Sequence, residues 1–182
     1  SIILRLPLPL TPLELLWINL ITDGFPALAL GMEPAEENIM ERKPRSINEG
    51  ILTKKIWKRL LIDGIIMGIA SFILFLWGLN VGSINLARTL AFSGLVFTQL
   101  NQALYLSLIR RKNIFKSAFS NIYLSLALIF SIILQFLILY TNFGRNFFNL
   151  EYLNAHKILL VIIVSMIPIY KFFMEKIYEK IF

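Results

Sequence analysis

The chain has 182 residues, of which 57% are hydrophobic and 16% charged, and its mean hydropathy is +0.72. Soluble domains typically carry about 25% charged residues, so the composition argues against a soluble globular domain. An aromatic content of 13% also excludes a largely disordered chain.

Long apolar runs separated by polar segments predict an all-α, polytopic transmembrane helix bundle with five spans. A helix needs about 20 apolar residues to cross the hydrocarbon layer of a membrane. The last run reaches that length only if Lys157 and Lys171 extend their amines to opposite interfaces. In chain order, the predicted helices cover about 12–32, 56–79, 86–109, 118–140 and 156–174.

The positive charges are distributed unevenly over the two sides of this topology. Fourteen of the 18 lysines and arginines fall on one side, which the positive-inside rule assigns to the cytoplasm. The C-terminus is then cytoplasmic. Anionic lipid explains the basic loops and the net charge of +7, so the bilayer is the predicted partner and nucleic acid is not.

The first predicted helix carries an unusual polar group within the segment LLWINLITDGFPALALGMEP, residues 15–34. Asn19, Thr22 and Asp23 have the i, i+3, i+4 spacing that places side chains on one face of an α-helix. Pro26 has no N–H for the Thr22 carbonyl, so we expect the helix to break near Asp23–Pro26. Polar groups at membrane depth are costly and usually functional.

The donor set of this segment is a carboxylate, an amide, a hydroxyl and freed backbone carbonyls. Such oxygen ligands suit calcium, magnesium or sodium better than zinc or copper. A single carboxylate leaves a divalent cation undercompensated, so further ligands must come from other helices. The sequence therefore predicts part of a cation site.

The second predicted helix contains Gly64 and Gly68, a small-xxx-small pair that would allow a neighbouring helix to approach closely. Asp63 lies beside them, with Arg59 four residues earlier. We interpret Asp63 and Arg59 as an interfacial ion pair in preference to part of an ion pathway.

The third predicted helix contains a polar patch in an apolar run, with two interpretations open. The amide oxygens of Gln99 and Gln102 lie at i and i+3 and could contribute to a cation site. Hydrogen bonding between helices is the alternative, and composition alone favours it. The patch consists of Thr98, Gln99, Asn101 and Gln102.

Catalytic motifs are missing from the sequence. It has no glycine-rich phosphate loop, no Ser/His/Asp set, no Glu-x-x-His and no cysteine. The chain also starts at Ser1 without a signal-peptide pattern. We therefore expect the C-terminal part of a longer protein, with no catalytic centre of its own.

The segment LLWINLITDGFPALALGMEP and the following IMERKPR resemble the sixth transmembrane helix and the next cytoplasmic loop of P-type cation-transporting ATPases, in the calcium-pump branch. The resemblance rests on an Asn-x-x-Thr-Asp-Gly core joined to a downstream Arg-x-Pro-Arg. Sodium/potassium pumps carry an aspartate where Asn19 stands, which favours calcium. The resemblance extends more weakly through the four further helices, as the last five spans of a ten-span pump.

This resemblance implies that Asn19, Thr22 and Asp23 are metal ligands, and that Gln99 takes the place of a ligating glutamate. It implies calcium as the transported ion, with ATP and magnesium bound only by upstream domains. The implied partners are the bilayer and the upstream transmembrane and cytoplasmic domains of the same pump. The rival interpretations are a non-enzymatic polytopic membrane scaffold and part of a secondary cation transporter.

Overall fold

The computed structural model describes residues 1–2, 4–33, 39–41, 50, 52–109, 121–171 and 174. Within these ranges the chain forms helices, turns and irregular segments and no strand, which confirms the predicted all-α class. Most of the basic loop residues used in the charge argument lie outside the described residues, as do residues 118–120 and 172–173 of the helices predicted over 118–140 and 156–174.

The helices follow the predicted order, with differences in their bounds. The helix predicted over 56–79 extends two residues further at each end, and a short helix replaces the loop expected after residue 140. The last helix is interrupted by a turn at Met166 and resumes over 167–171. The elements are α1 (Pro12–Trp17), a π-helical segment (Ile18–Asp23), α2 (Gly24–Gly31), a 3-10 turn (Ile39–Glu41), α3 (Lys54–Val81), α4 (Ile84–Ile109), α5 (Ile122–Tyr140), α6 (Asn142–Phe148) and α7 (Ala155–Ser165).

The first membrane helix stays helical where a break was expected, and its turn is wider there. It begins with a capping box, in which the Glu14 N–H donates to Thr11 Oγ1 at 3.3 Å and the Thr11 N–H donates to Glu14 Oε2 at 2.5 Å. The π-helical segment Ile18–Asp23 follows, and α2 starts at Gly24. Pro26 then lies in the first turn of α2, where a helix does not need its N–H groups. The expected break near Asp23–Pro26 is thus a π-helical segment that ends before Pro26.

The close approach of α3 and α4 depends on Gly78. A Cβ atom there would lie 2.5 Å from the Cα of Ala87, so any side chain would force the two helices apart. At Gly64 and Gly68, by contrast, a Cβ would meet no described atom within 4 Å. Within the described part of the chain, the small-xxx-small pair is therefore not where the helices touch.

The core is built around α4, which packs against α3, α5, α7 and the π-helical segment. At the C-terminal end of α5 the chain folds back as α6, and a Cβ at Gly144 would lie only 2.4 Å from the Cα of Ile138. Phe148 of α6 then reaches Trp17 of α1, with ring centroids 5.4 Å apart and nearly perpendicular. The main cluster includes Ile18, Leu74, Leu90, Phe92, Val96, Leu139, Leu153 and Val161.

Three helices in the described ranges are long and apolar enough to cross a membrane: Pro12–Gly31, Ile56–Val81 and Ile122–Tyr140. The 26 residues of α4 suffice in length, but this helix is more polar. The 11 residues of α7 extend only about 17 Å, short of the roughly 30 Å of hydrocarbon. A helical membrane bundle agrees with these findings, and the count of five spans stays a prediction.

The contrast between the glycines of α3 is testable by alanine substitution. We expect Gly78→Ala to destabilise the protein by about 1–3 kcal/mol, because the new methyl group overlaps the α4 backbone. Gly68→Ala should be neutral or stabilising by up to about 1 kcal/mol, since alanine is the better helix former and the space is open. The midpoint of thermal unfolding in detergent measures both. Equal losses in the two variants would contradict the close contact at Gly78.

Candidate functional site

The π-helical segment lies in the middle of the apolar span Pro12–Gly31. Such segments are rare and occur frequently at functional sites, since the wider turn places side chains where a regular α-helix would not. Thr22 is buried, and its hydroxyl donates a hydrogen bond of 2.8 Å to the Ile18 carbonyl of the preceding turn. That bond uses the hydroxyl proton, so the Oγ1 lone pairs remain able to accept.

Asn19 and Asp23 differ from Thr22 in burial, because both are exposed. Within the described residues, neither side chain makes a hydrogen bond or ion pair. The structure thus presents an amide and a carboxylate on the open surface of the π-helical segment, while the Thr22 side chain is enclosed by protein.

The polar patch of α4 contains three residues with hydrogen-bond partners in the structure and one whose buried oxygen has none among the described residues. Asn101 donates from Nδ2 to the Ser165 carbonyl of α7 at 2.8 Å, and Gln102 donates from Nε2 to Asp63 Oδ2 of α3 at 3.1 Å. Thr98 donates to the Gly94 carbonyl of its own helix at 2.6 Å. For these three residues, the interpretation as structural hydrogen bonding is the one that the geometry supports.

Gln99 is the exception in this patch. Its Oε1 atom is buried and has no hydrogen-bond donor among the described residues. Buried acceptors in proteins almost always have a partner, so an unpartnered amide oxygen requires an explanation. Gln99 belongs to a helix that packs against the π-helical segment.

An ionic cluster around Asp63, whose exposed fraction is 8%, joins α3, α4 and the helical stretch 167–171. The Lys171 amine forms a salt bridge with Asp63 Oδ1, and Gln102 binds the other oxygen. The predicted partner Arg59 lies at 4.0 Å from Oδ2, and its guanidinium lies 5.3 Å from the Tyr105 ring centroid. The Arg59–Asp63 ion pair is present, and Lys171 contacts the carboxylate more closely. Sequence spacing does not reveal this pairing, because Asp63 and Lys171 are 108 positions apart.

Sequence analysis also missed the polar residues of α5. Ser131 and Gln135 are fully buried in a helix that is otherwise strongly apolar, and Asn121 caps its start. All three form hydrogen bonds with the first membrane helix. Polar residues within a membrane span usually face protein partners, and this rule would have predicted that Ser131 and Gln135 are buried against another helix.

The candidate ligands Asn19, Thr22, Asp23 and Gln99 all offer oxygen atoms. The described residues contain no group of three or more His, Cys, Asp or Glu side chains that could hold a metal ion. One carboxylate, two amides and a hydroxyl form an incomplete ligand set for a hard cation, which ordinarily takes about six to eight oxygens when it is calcium. This arrangement can bind a cation only with ligands from elsewhere.

Comparison with known proteins extends over nearly the whole chain. Residues 7–178 match the protein family described as "Cation transporting ATPase, C-terminus". The "Calcium-transporting ATPase" of Bacillus subtilis (strain 168) is 34% identical over 171 residues, which are 92% of this chain and 19% of that protein. "Calcium-transporting ATPase 1" of Bacillus cereus is 32% identical over 187 residues (93% and 21%), and its namesake in Saccharomyces cerevisiae is 32% identical over 164 (88% and 17%). The chain thus spans about a fifth of the length of these curated relatives.

The different hydrogen bonding of Gln99 and Gln102 predicts that replacing each with leucine changes the stability of the protein by different amounts. Gln102→Leu should cost about 1–3 kcal/mol of stability, because it removes the hydrogen bond to Oδ2 of the buried Asp63 carboxylate. Gln99→Leu should change stability by less than about 0.5 kcal/mol or increase it, since its oxygen has no bond to lose. Thermal unfolding in detergent compares the two. A larger loss in Gln99→Leu would show that Gln99 has a structural role.

Proposed function

Because the chain belongs to the family of cation-transporting ATPase C-terminal regions, we propose that it is the C-terminal membrane part of an ATP-driven calcium pump. The observation that carries this proposal is the π-helical segment at mid-span, which exposes Asn19 and Asp23 in a predominantly apolar helix. ATP and its magnesium ion would be bound by upstream domains, since this chain lacks a phosphate loop.

In the proposed site, Asn19, Thr22, Asp23 and Gln99 are cation ligands. Each offers an oxygen atom with free lone pairs, and Asp23 supplies the negative charge. The buried and unpartnered Oε1 of Gln99 supports its inclusion, because a cation would supply the missing partner. The transported ion is the substrate of the pump and binds only transiently.

The exposure of Asp23 supports a further part of the proposal. A carboxylate facing hydrocarbon at mid-span costs at least about 2.5 kcal/mol, so lipid is an unfavourable neighbour for this surface. We assign the surface to the upstream transmembrane helices of the same pump, which would add the remaining ligands. Phosphorylation in the cytoplasmic domains would then move those helices relative to this bundle.

The orientation follows from the lysines and arginines. With the basic loops in the cytoplasm, the C-terminus is cytoplasmic and the turn between α5 and α7 is external. The surfaces of the three membrane-spanning helices that are not buried in the bundle face lipid or other helices of the pump. The family match disfavours both rival interpretations, the non-enzymatic scaffold and the secondary transporter.

Asp23→Asn in the intact protein provides the direct test. Asp23 is the only carboxylate of the π-helical segment, so its neutralisation should abolish calcium-stimulated phosphorylation from ATP. The matched control is Asp63→Asn, which neutralises a carboxylate already paired with Lys171 and should retain the calcium dependence. A normal calcium response in Asp23→Asn would refute the site, and loss of the response in both variants would point to a general structural effect.

The neutral side chain of Gln99 leads to a prediction about stoichiometry. Two calcium ions a few ångströms apart repel strongly in a low-dielectric interior, and a site lacking one carboxylate compensates this poorly. We expect about one calcium bound per phosphorylatable protein at saturation, measured with radioactive calcium. Gln99→Glu should strengthen calcium binding or add a second ion. A ratio near two in the unmodified protein would contradict the prediction.

A further inference from the structure

Three buried polar residues of α5 bind the first membrane helix at successive points along its length. Before the π-helical segment, Gln135 Oε1 accepts a hydrogen bond from Trp17 Nε1 at 3.1 Å. Within it, Ser131 Oγ donates to the Ile21 carbonyl at 3.3 Å. After it, Asn121 Nδ2 donates to the Ala29 carbonyl at 2.8 Å. The helix that carries Asn19 and Asp23 is therefore held by α5 on both sides of its irregular region and inside it.

The bond from Ser131 reaches the carbonyl at which a continued π-helical hydrogen-bond pattern would meet Pro26. In π-helical geometry each carbonyl bonds the N–H five residues later, so Ile21 corresponds to Pro26, which has no N–H. In α-helical geometry the corresponding carbonyl would be that of Thr22. Ser131 thus provides a donor where the π register requires one, and a buried carbonyl without a donor is costly.

Stability alone does not explain Gln135. Its exposed fraction is 0%, and its Nε2 atom is buried without an acceptor among the described residues. An unsatisfied buried amide costs free energy that an aliphatic residue of similar size would not. What the amide provides is a fixed position for Trp17, the residue directly before the π-helical segment.

We propose that Ser131 and Gln135 are positioning residues for the cation site, which they serve by holding the π-helical segment in register. The inference rests on the proposed function, because the site being positioned is the one that contains Asn19 and Asp23. Neither positioning residue touches the ion. Each fixes the backbone or the neighbouring side chain of the segment that does.

Loss of these bonds changes the geometry of the ligands and leaves their chemistry intact. A π-helical segment that reverts to the α register changes the rotation per residue within the segment, so the angle between the Asn19 and Asp23 side chains about the helix axis changes. Calcium binding should weaken, while the maximal phosphorylation reached at saturating calcium should be preserved. A purely structural role predicts less folded protein and an unchanged calcium affinity.

The experiment measures calcium-dependent phosphorylation from ATP in the intact protein and compares Ser131→Ala with Ser131→Thr. We expect Ser131→Ala to raise the calcium concentration for half-maximal phosphorylation about threefold to tenfold, the effect of one lost hydrogen bond. Ser131→Thr keeps the hydroxyl and should stay within about twofold of the unmodified protein. Trp17→Phe keeps an aromatic ring but removes the donor to Gln135, and should also raise that concentration.

Ser71→Ala is the matched control. Ser71 is a buried serine of α3 that donates to the Ala91 carbonyl of α4 at 2.8 Å, so it makes the same kind of bond between helices away from the π-helical segment. This control should leave the half-maximal calcium concentration within about twofold of the unmodified value. The same rise in Ser71→Ala as in Ser131→Ala would overturn the inference.

The remaining outcomes separate this inference from the proposed function. If the unmodified protein is phosphorylated without any dependence on calcium, the proposed function is wrong. If it depends on calcium and both Ser131→Ala and Trp17→Phe match it, only the positioning role is wrong. If Ser131→Ala does not fold, Trp17→Phe is the deciding variant. A raised half-maximal calcium concentration in Trp17→Phe supports the positioning role, and an unchanged one contradicts it.

Discussion

The structure depends on one constraint, which is that every backbone carbonyl inside the apolar bundle needs a donor. Pro26 breaks this condition in the first membrane helix because it has no N–H. The helix responds with a π-helical segment directly before α2, and Ser131 of α5 donates to the Ile21 carbonyl. The irregular geometry that exposes Asn19 and Asp23 is therefore maintained by a neighbouring helix as well as by the local sequence.

Helix α4 both forms the centre of the core and links neighbouring helices through hydrogen bonds. Asn101 and Gln102 connect it to α7 and α3 through hydrogen bonds, and its apolar residues form the centre of the core. Gln99 lies on the same rigid helix with an unpartnered buried oxygen. A side chain on a helix fixed from several directions keeps its position when neighbouring helices move, which is what the proposed role of Gln99 as a cation ligand requires.

Much of the candidate site was visible in the sequence because its residues are close together along the chain. Asn19, Thr22 and Asp23 lie within a single segment, and Pro26 marks the irregularity next to them. Two details could not be predicted. Helical spacing does not distinguish an α-helical kink from a π-helical segment, and it does not tell that Thr22 is buried while its neighbours are exposed. Burial depends on which other helix covers each side, and that is a property of packing.

The sequence by itself determined the all-α class, the apolar spans and the group of oxygen-bearing side chains in the first membrane helix, because each follows from composition and short-range spacing. Only the tertiary structure decided which polar side chains are used up in holding helices together. Gln99 and Gln102 are the same residue type three positions apart, yet one bonds Asp63 and the other has no donor among the described residues. The pairing of Lys171 with Asp63 and of Ser131 with Ile21 joins positions about a hundred residues apart. Such contacts depend on how the helices pack, and spacing rules along one helix do not predict which residues of different helices meet.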